Sequence, residues 1–153
     1  MKRLLPVCCL MAFLLSACNK AYISSIPDSP VYLELDLTFE DKDLLPASAY
    51  KIFTPQNIGQ SVEKTGFGGV LVYHGLSGSG TGAYYAFDIA CPYEASRSVT
   101  LHVDDDHLHA VCPKCESRYE LLFGLGNPVG GPSRERLKPY RVSVSGNKIY
   151  VGN

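Results

Sequence analysis

Apolar and polar residues alternate from Val31 to Phe39, with Val31, Leu33, Leu35, Leu37 and Phe39 on one face. A period of two predicts a half-buried strand. Gly69–His74 is a nearly continuous apolar run and reads as a second strand. Leu76 to Gly82 (LSGSGTG) reads as a turn, and Ala83–Ile89 as the returning strand. Val99, Leu101 and Val103 alternate with polar neighbours, as do Leu108, Ala110 and Cys112, with Asp104, Asp105 and Asp106 between them. This pattern predicts a hairpin with an acidic tip. Glu120–Phe123 reads as a short strand, and Gly124–Ser133 as a turn-rich loop. Arg141–Val144 and Lys148–Val151 flank Ser145-Gly146-Asn147 and predict a closing hairpin. Residues 40–66 give no clear order and read as loop-rich. With no internal repeat and no amphipathic helix, the pattern predicts an all-β domain of many short strands.

The first residues have a different character. Lys2 and Arg3 precede an uncharged, mostly apolar run from Leu4 to Ala17. A membrane-spanning helix needs about 20 apolar residues, so this shorter run predicts the apolar segment of an export signal. Leu15-Ser16-Ala17-Cys18 closes the run and resembles a bacterial lipobox, which implies cleavage before Cys18 and acylation of its thiol. Residues 1–17 are expected to be a lipoprotein signal peptide, 18–30 a lipidated tether and 31–153 the folded domain. A single acyl chain binds a bilayer reversibly, whereas two or more anchor stably. The expected location is the bacterial cell envelope, with the domain held on a membrane in the periplasm or outside the cell. An ordinary signal peptide cut nearby, with Cys18 incidental, is the competing reading.

Composition narrows the classes further. The 14 Gly and 10 Pro oppose a long helical bundle, while 10 Tyr without Trp suit strands. The formal charge of -1 and the scatter of Lys and Arg exclude a nucleic-acid partner, which requires a basic surface. Loss of Lys2 and Arg3 with the signal makes the mature chain more acidic. Of the 6 Cys, Cys8 and Cys9 leave with the signal and Cys18 takes lipid, so Cys91, Cys112 and Cys115 remain. An odd count in an oxidising envelope points to a metal site, or to one disulfide and a free thiol.

Cys91-Pro92-Tyr93 and Cys112-Pro113-Lys114-Cys115 each place a Cys-Pro turn after a strand. Thiolates on two loops can converge on one soft metal centre. In this setting the sequence resembles the Rieske family of iron–sulfur domains, over roughly Phe67 to Val151. That family carries C-x-H on one loop and C-x-x-H on another, with two Cys on one iron and two His on the other. Cys91 and Cys112 match the two Cys, Tyr93 stands at the first His position and Cys115 at the second. Ala86-Phe87-Asp88 resembles the strand into the first loop. Ser117 and Tyr119 match the Ser and aromatic that follow the second pair, where the Ser would hydrogen-bond the cluster from outside the ligand set. Gly131-Pro132-Ser133 resembles the third loop, and Leu137, Tyr140, Val142, Ile149 and Val151 the closing hairpin. The resemblance implies an antiparallel β-sandwich of stacked small sheets with the ligand loops at one end.

Both family His are absent, and this departure bears on function. Three thiolates and the Tyr93 phenolate would make a [2Fe–2S] cluster harder to reduce than the His-ligated form. Rieske clusters are assembled before export, yet Lys2-Arg3 lacks the twin Arg of a folded-protein export signal. Three readings of the thiols therefore stay open. One is a [2Fe–2S] cluster on Cys91, Cys112, Cys115 and Tyr93, serving an envelope redox partner. Another is zinc on the three Cys with Tyr93, a His or water as fourth ligand. The last is a cofactor-free binding or structural module in which Cys91 is bonded to Cys112 or Cys115.

The remaining candidates are weaker. His102 is expected to face His107 or His109 across the hairpin, which would be a surface metal pair; solvated positions are the bland alternative. Asp104–Asp106 lacks the spacing of a calcium loop. No G-x-S-x-G, phosphate loop or H-E-x-x-H occurs, so no catalytic residue is assigned and the chain is read as an electron carrier at most.

Overall fold

The computed structural model describes residues 23–59, 62–77 and 82–153. The expected signal 1–17, the expected lipidation site Cys18, residues 19–22 and part of the glycine-serine turn lie outside the described residues.

The described chain is all-β apart from one short 3-10 turn at Lys42–Leu44. Its strands are β1 (Val31–Asp36), β2 (Tyr50–Phe53), β3 (Lys64–Thr65), β4 (Val70–Leu76), β5 (Gly82–Asp88), β6 (His102–Val103), β7 (His109–Val111), β8 (Arg118–Glu120), β9 (Pro128–Gly130), β10 (Pro139–Ser145) and β11 (Lys148–Gly152). Seven strands form one sheet in the order β2-β4-β5-β10-β11-β1-β3, and four form a second in the order β6-β7-β8-β9. Every pairing is antiparallel.

The large sheet folds along β10. Pro139 and Tyr140 pair with β5, whereas Arg141–Ser145 pair with β11. One core fills the space between the two halves, with Val31, Leu33 and Leu35 from β1, Val70 and Val72 from β4, and Ile149 and Val151 from β11. A second core lies between the other face of β4–β5 and the small sheet, with Leu71, Tyr73, Phe87, Ala110, Tyr119 and Leu121. Strand β4 is thus buried on both faces. This explains its unbroken apolar run, because alternation is lost when neither face meets water.

Several expectations are corrected. The first strand ends at Asp36, where Asp41 caps the Asp36 amide, and Phe39 is 73% exposed instead of on the core face. Residues 40–66 contain β2 and β3, which pair with β4 and β1. The strand expected at Glu120–Phe123 lies at Arg118–Glu120, and the loop 124–133 contains β9. In the acidic hairpin His102 registers with Val111 and His109 with Glu120, so the expected His pair does not form. His109 and Arg118 instead pair with Asp106 and Asp104.

Residues 24–30 lie along the domain. Ser24 and Ser25 donate to the Glu135 carboxylate, Ile26 is 1% exposed, and the Lys138 ammonium donates to the Ile26 carbonyl and to Asp28. Among the described residues, no helix is long and apolar enough to cross a membrane.

Candidate metal centre

Two loops bring the three thiols together. Strand β5 leads through Asp88 to Cys91, and an isolated bridge between Ala90 and Thr100 ties this exit to the approach to β6. The Cys112 loop joins β7 to β8. The first thiol therefore comes from the large sheet and the other two from the small one.

Asp88 is 1% exposed, and its carboxylate accepts from the amides of Phe67, Gly68 and Ala90 and from the Tyr140 hydroxyl. A buried carboxylate is tolerated when donors replace its water. These donors fix the strand just before Cys91 to the loop at 66–69. The sequence reading placed Asp88 only as part of the strand into the loop and missed its role. Its signal is an Asp at the end of a buried strand.

The Sγ atoms of Cys91, Cys112 and Cys115 all lie within 4.8 Å of one another. Cys91 and Cys115 are 3.7 Å apart, and all three are free thiols. Cys91 and Cys112 are fully buried, while Cys115 is partly exposed. Burial pushes the Cys91 thiol up to about 12, against hydrogen bonds from the Tyr119 hydroxyl and the Glu94 and Tyr93 backbone. Cys115 goes the other way. Desolvation opposes its ionisation, but the Ser117 hydroxyl and backbone and the neighbouring thiols together lower it.

The surrounding hydroxyls are placed with equal economy. Tyr119 is fully buried, with its hydroxyl 3.6 Å from Cys91 Sγ. The Cys115 thiol donates to Ser117 Oγ at 3.2 Å, and the Ser133 amide donates to the same oxygen at 3.0 Å. The third loop is held tightly against Ser117. Gly131 has φ +81, and a Cβ there would lie 2.5 Å from the Ser117 Cα.

The sequence thus identified Cys91, Cys112, Cys115, Ser117 and Tyr119, and the fold brings all five together. Tyr93 is different. It is 57% exposed, unlike the buried Cys91 and Cys112. The sequence reading also missed Glu94 and Lys114, whose ion pair spans the two loops.

The donor set can be tested against the metal groups considered. Zinc or iron held by thiolates has bonds of about 2.3 Å, which place tetrahedral sulfurs about 3.8 Å apart. The Cys91–Cys115 spacing of 3.7 Å matches that edge. A two-iron cluster needs four terminal ligands, two on each iron, with the pairs standing apart across the irons. The three thiols supply three of those four ligands, and Tyr93, at the remaining family position, is 57% exposed. The three thiols fit one soft metal ion.

No protein-family model and no curated protein matches the chain. Solved structures similar to the chain include two ferredoxin-containing ones. One is described as a complex of reduced oxygenase and oxidized ferredoxin in carbazole 1,9a-dioxygenase; the match covers 81% of this chain and 94% of that chain, at 15% identity and a TM-score of 0.49. The other is the ferredoxin of carbazole 1,9a-dioxygenase from Nocardioides aromaticivorans IC177; it covers 80% of this chain and 96% of that chain, at 22% identity and a TM-score of 0.45.

Proposed function

We propose that this chain is a membrane-anchored envelope lipoprotein whose Rieske-like β domain carries a metal–thiolate centre on Cys91, Cys112 and Cys115, and that it acts as an electron carrier and not as a catalyst. The observation that carries the reading is the convergence of three thiols from two loops within 4.8 Å. Iron held by thiolates supplies one-electron redox chemistry. The chain's own contribution is to hold the sulfurs in place, exclude water from Cys91 and Cys112, and offer hydroxyls to the sulfurs. The Tyr119 and Ser117 hydroxyls lie against the Cys91 and Cys115 sulfurs, and once those are thiolates the hydroxyls would donate to them and withdraw charge, which is how groups around a centre tune its potential. The lipobox-like segment ending at Cys18 supports attachment to a membrane.

A second reading is favoured by the match between the sulfur spacing and a single tetrahedral ion. Zinc would fill the same thiol set and give a colourless binding module that needs no preassembled cofactor at export. The deciding experiment uses full-length lipidated protein purified anaerobically from its native membrane, with iron, zinc and sulfide measured beside the visible spectrum. Bound iron with thiolate charge-transfer absorption is expected. Colourless, iron-free protein overturns the electron-carrier reading, and stoichiometric zinc in that sample establishes the second one. In the same preparation Cys18→Ala is expected to move the domain to the soluble fraction; persistent attachment overturns the lipid anchor.

A further inference from the structure

The two Cys-Pro loops repeat one another. Cys91-Pro92-Tyr93-Glu94-Ala95 and Cys112-Pro113-Lys114-Cys115-Glu116 each begin with Cys-Pro. Each closes with the fifth residue's amide donating to the carbonyl of the Cys, from Ala95 to Cys91 at 2.8 Å and from Glu116 to Cys112 at 3.0 Å. Each fifth residue is a non-glycine with positive φ, 47° at Ala95 and 60° at Glu116. Such backbone is uncommon outside Gly, so its occurrence at matched places marks one turn used twice. In the second loop the fourth residue is Cys115, which joins the thiol group. In the first loop that place belongs to Glu94.

Glu94 has the setting of a held carboxylate. Its side chain is only 12% exposed, although Glu is seldom enclosed without a partner. Its backbone is hydrogen-bonded to the Cys91 sulfur. Its present partner is the ammonium of Lys114, from the opposite loop, whose side chain is 64% exposed. The carboxylate thus rests on an exposed surface cation, outside the 4.8 Å group of the three sulfurs, and must swing from Lys114 to reach them; carboxylate oxygen is an accepted fourth ligand where thiolates hold a divalent ion.

We propose that the paired loops form one mononuclear site in which the Glu94 carboxylate completes the tetrahedron begun by Cys91, Cys112 and Cys115. This rests on the reading that the thiols bind metal, and it excludes a two-iron cluster. Binding forms four metal–ligand bonds, releases the three thiol protons to solvent and changes no oxidation state. Glu94 leaves Lys114, whose positive charge then offsets the excess negative charge of three thiolates and a carboxylate.

The test is titration of reduced, detergent-solubilised full-length protein with Co2+, read by its visible bands, in wild type, Glu94→Ala, Glu94→Cys and Lys114→Ala. Wild type is expected to bind one ion per chain with tetrahedral bands. Glu94→Ala is expected to weaken binding by at least about tenfold, in the range that losing a supporting group already costs a metal site. Lys114→Ala is expected to leave affinity nearly unchanged. Glu94→Cys is expected to bind tightly with stronger sulfur charge-transfer absorption, which shows that the loop still folds with a donor at that place. Equal weakening by Glu94→Ala and Lys114→Ala would reduce Glu94 to a clasp between loops and overturn the proposal. So would two irons and two sulfides per chain after iron reconstitution. Wild type that binds neither Co2+ nor iron defeats the metal-centre reading itself, whereas metal binding indifferent to Glu94 defeats only the present inference.

Discussion

The Tyr140 hydroxyl donates to Asp88 Oδ2 at 2.6 Å, joining the closing hairpin to the strand that delivers Cys91. Both residues are buried. Burial, and then the adjacent carboxylate, raise the Tyr140 phenol well above its ordinary range, so it stays a donor throughout the accessible pH range. The same carboxylate gathers three backbone amides, and the entry to the Cys91 loop is set by this one side chain.

Asp88→Asn is expected to cost about 3 kcal/mol, because the amide nitrogen would face donors that then lack an acceptor. Tyr140→Phe removes one donor and leaves the carboxylate its amides, so about 1 kcal/mol is expected. Urea unfolding of the two variants checks both the sizes and their order.

The thiols should differ in reactivity when metal is absent. Cys115 is lowered and partly exposed, so its thiolate appears at lower pH; Cys91, pushed up to about 12 and buried, stays protonated. Alkylation of reduced, metal-free protein is expected to label Cys115 first as pH rises, with Cys91 resisting until the chain unfolds. Peptide mass spectrometry across a pH series reads the order directly, and Cys91 labelled ahead of Cys115 would contradict it.

Gly131→Ala is expected to destabilise by about 2 kcal/mol or more, since the left-handed conformation alone costs roughly 1–2 kcal/mol with a side chain. The added Cβ would also press on Ser117 backbone, which cannot rotate away. Loss of thermal stability should be accompanied by altered metal absorption, because Ser117 moves with that contact. An Ala variant with unchanged melting would refute the clash.

Lys138→Met should release the segment before β1 while leaving the sheets intact. The buried ammonium holds the Ile26 carbonyl at 3.0 Å and the exposed Asp28. A hydrogen bond to a charged group contributes about 1.5–3 kcal/mol, so proteolysis between residues 24 and 30 is expected to quicken by about tenfold or more when opening precedes cleavage. Limited digestion with mass analysis of the products measures this.

Much of this was legible in the chain. Period-two patterning marked β1 and the closing hairpin, because each exposes one face to water and buries the other. The Cys-Pro motifs marked the thiols, because Pro after Cys shapes a turn whatever packs around it. Elsewhere local pattern misled. Phe39 continues the alternation but lies beyond the turn capped by Asp41, so tertiary placement leaves it in solvent. Strands β2 and β3 gave no signal, being short and stabilised by their partners β4 and β1. Glu94 was readable only by laying one Cys-Pro loop over the other.

The amino-acid sequence by itself determined the all-β class and the two thiol-bearing turns, since each depends on residues close together along the chain. Only the tertiary structure decided that three sulfurs meet within 4.8 Å, that Tyr93 is exposed and that Glu94 is enclosed in an ion pair with Lys114. Those outcomes depend on how the large sheet folds along β10 and where the small sheet packs on β4 and β5. Contacts between residues far apart in sequence set that packing, and no local pattern encodes their distances.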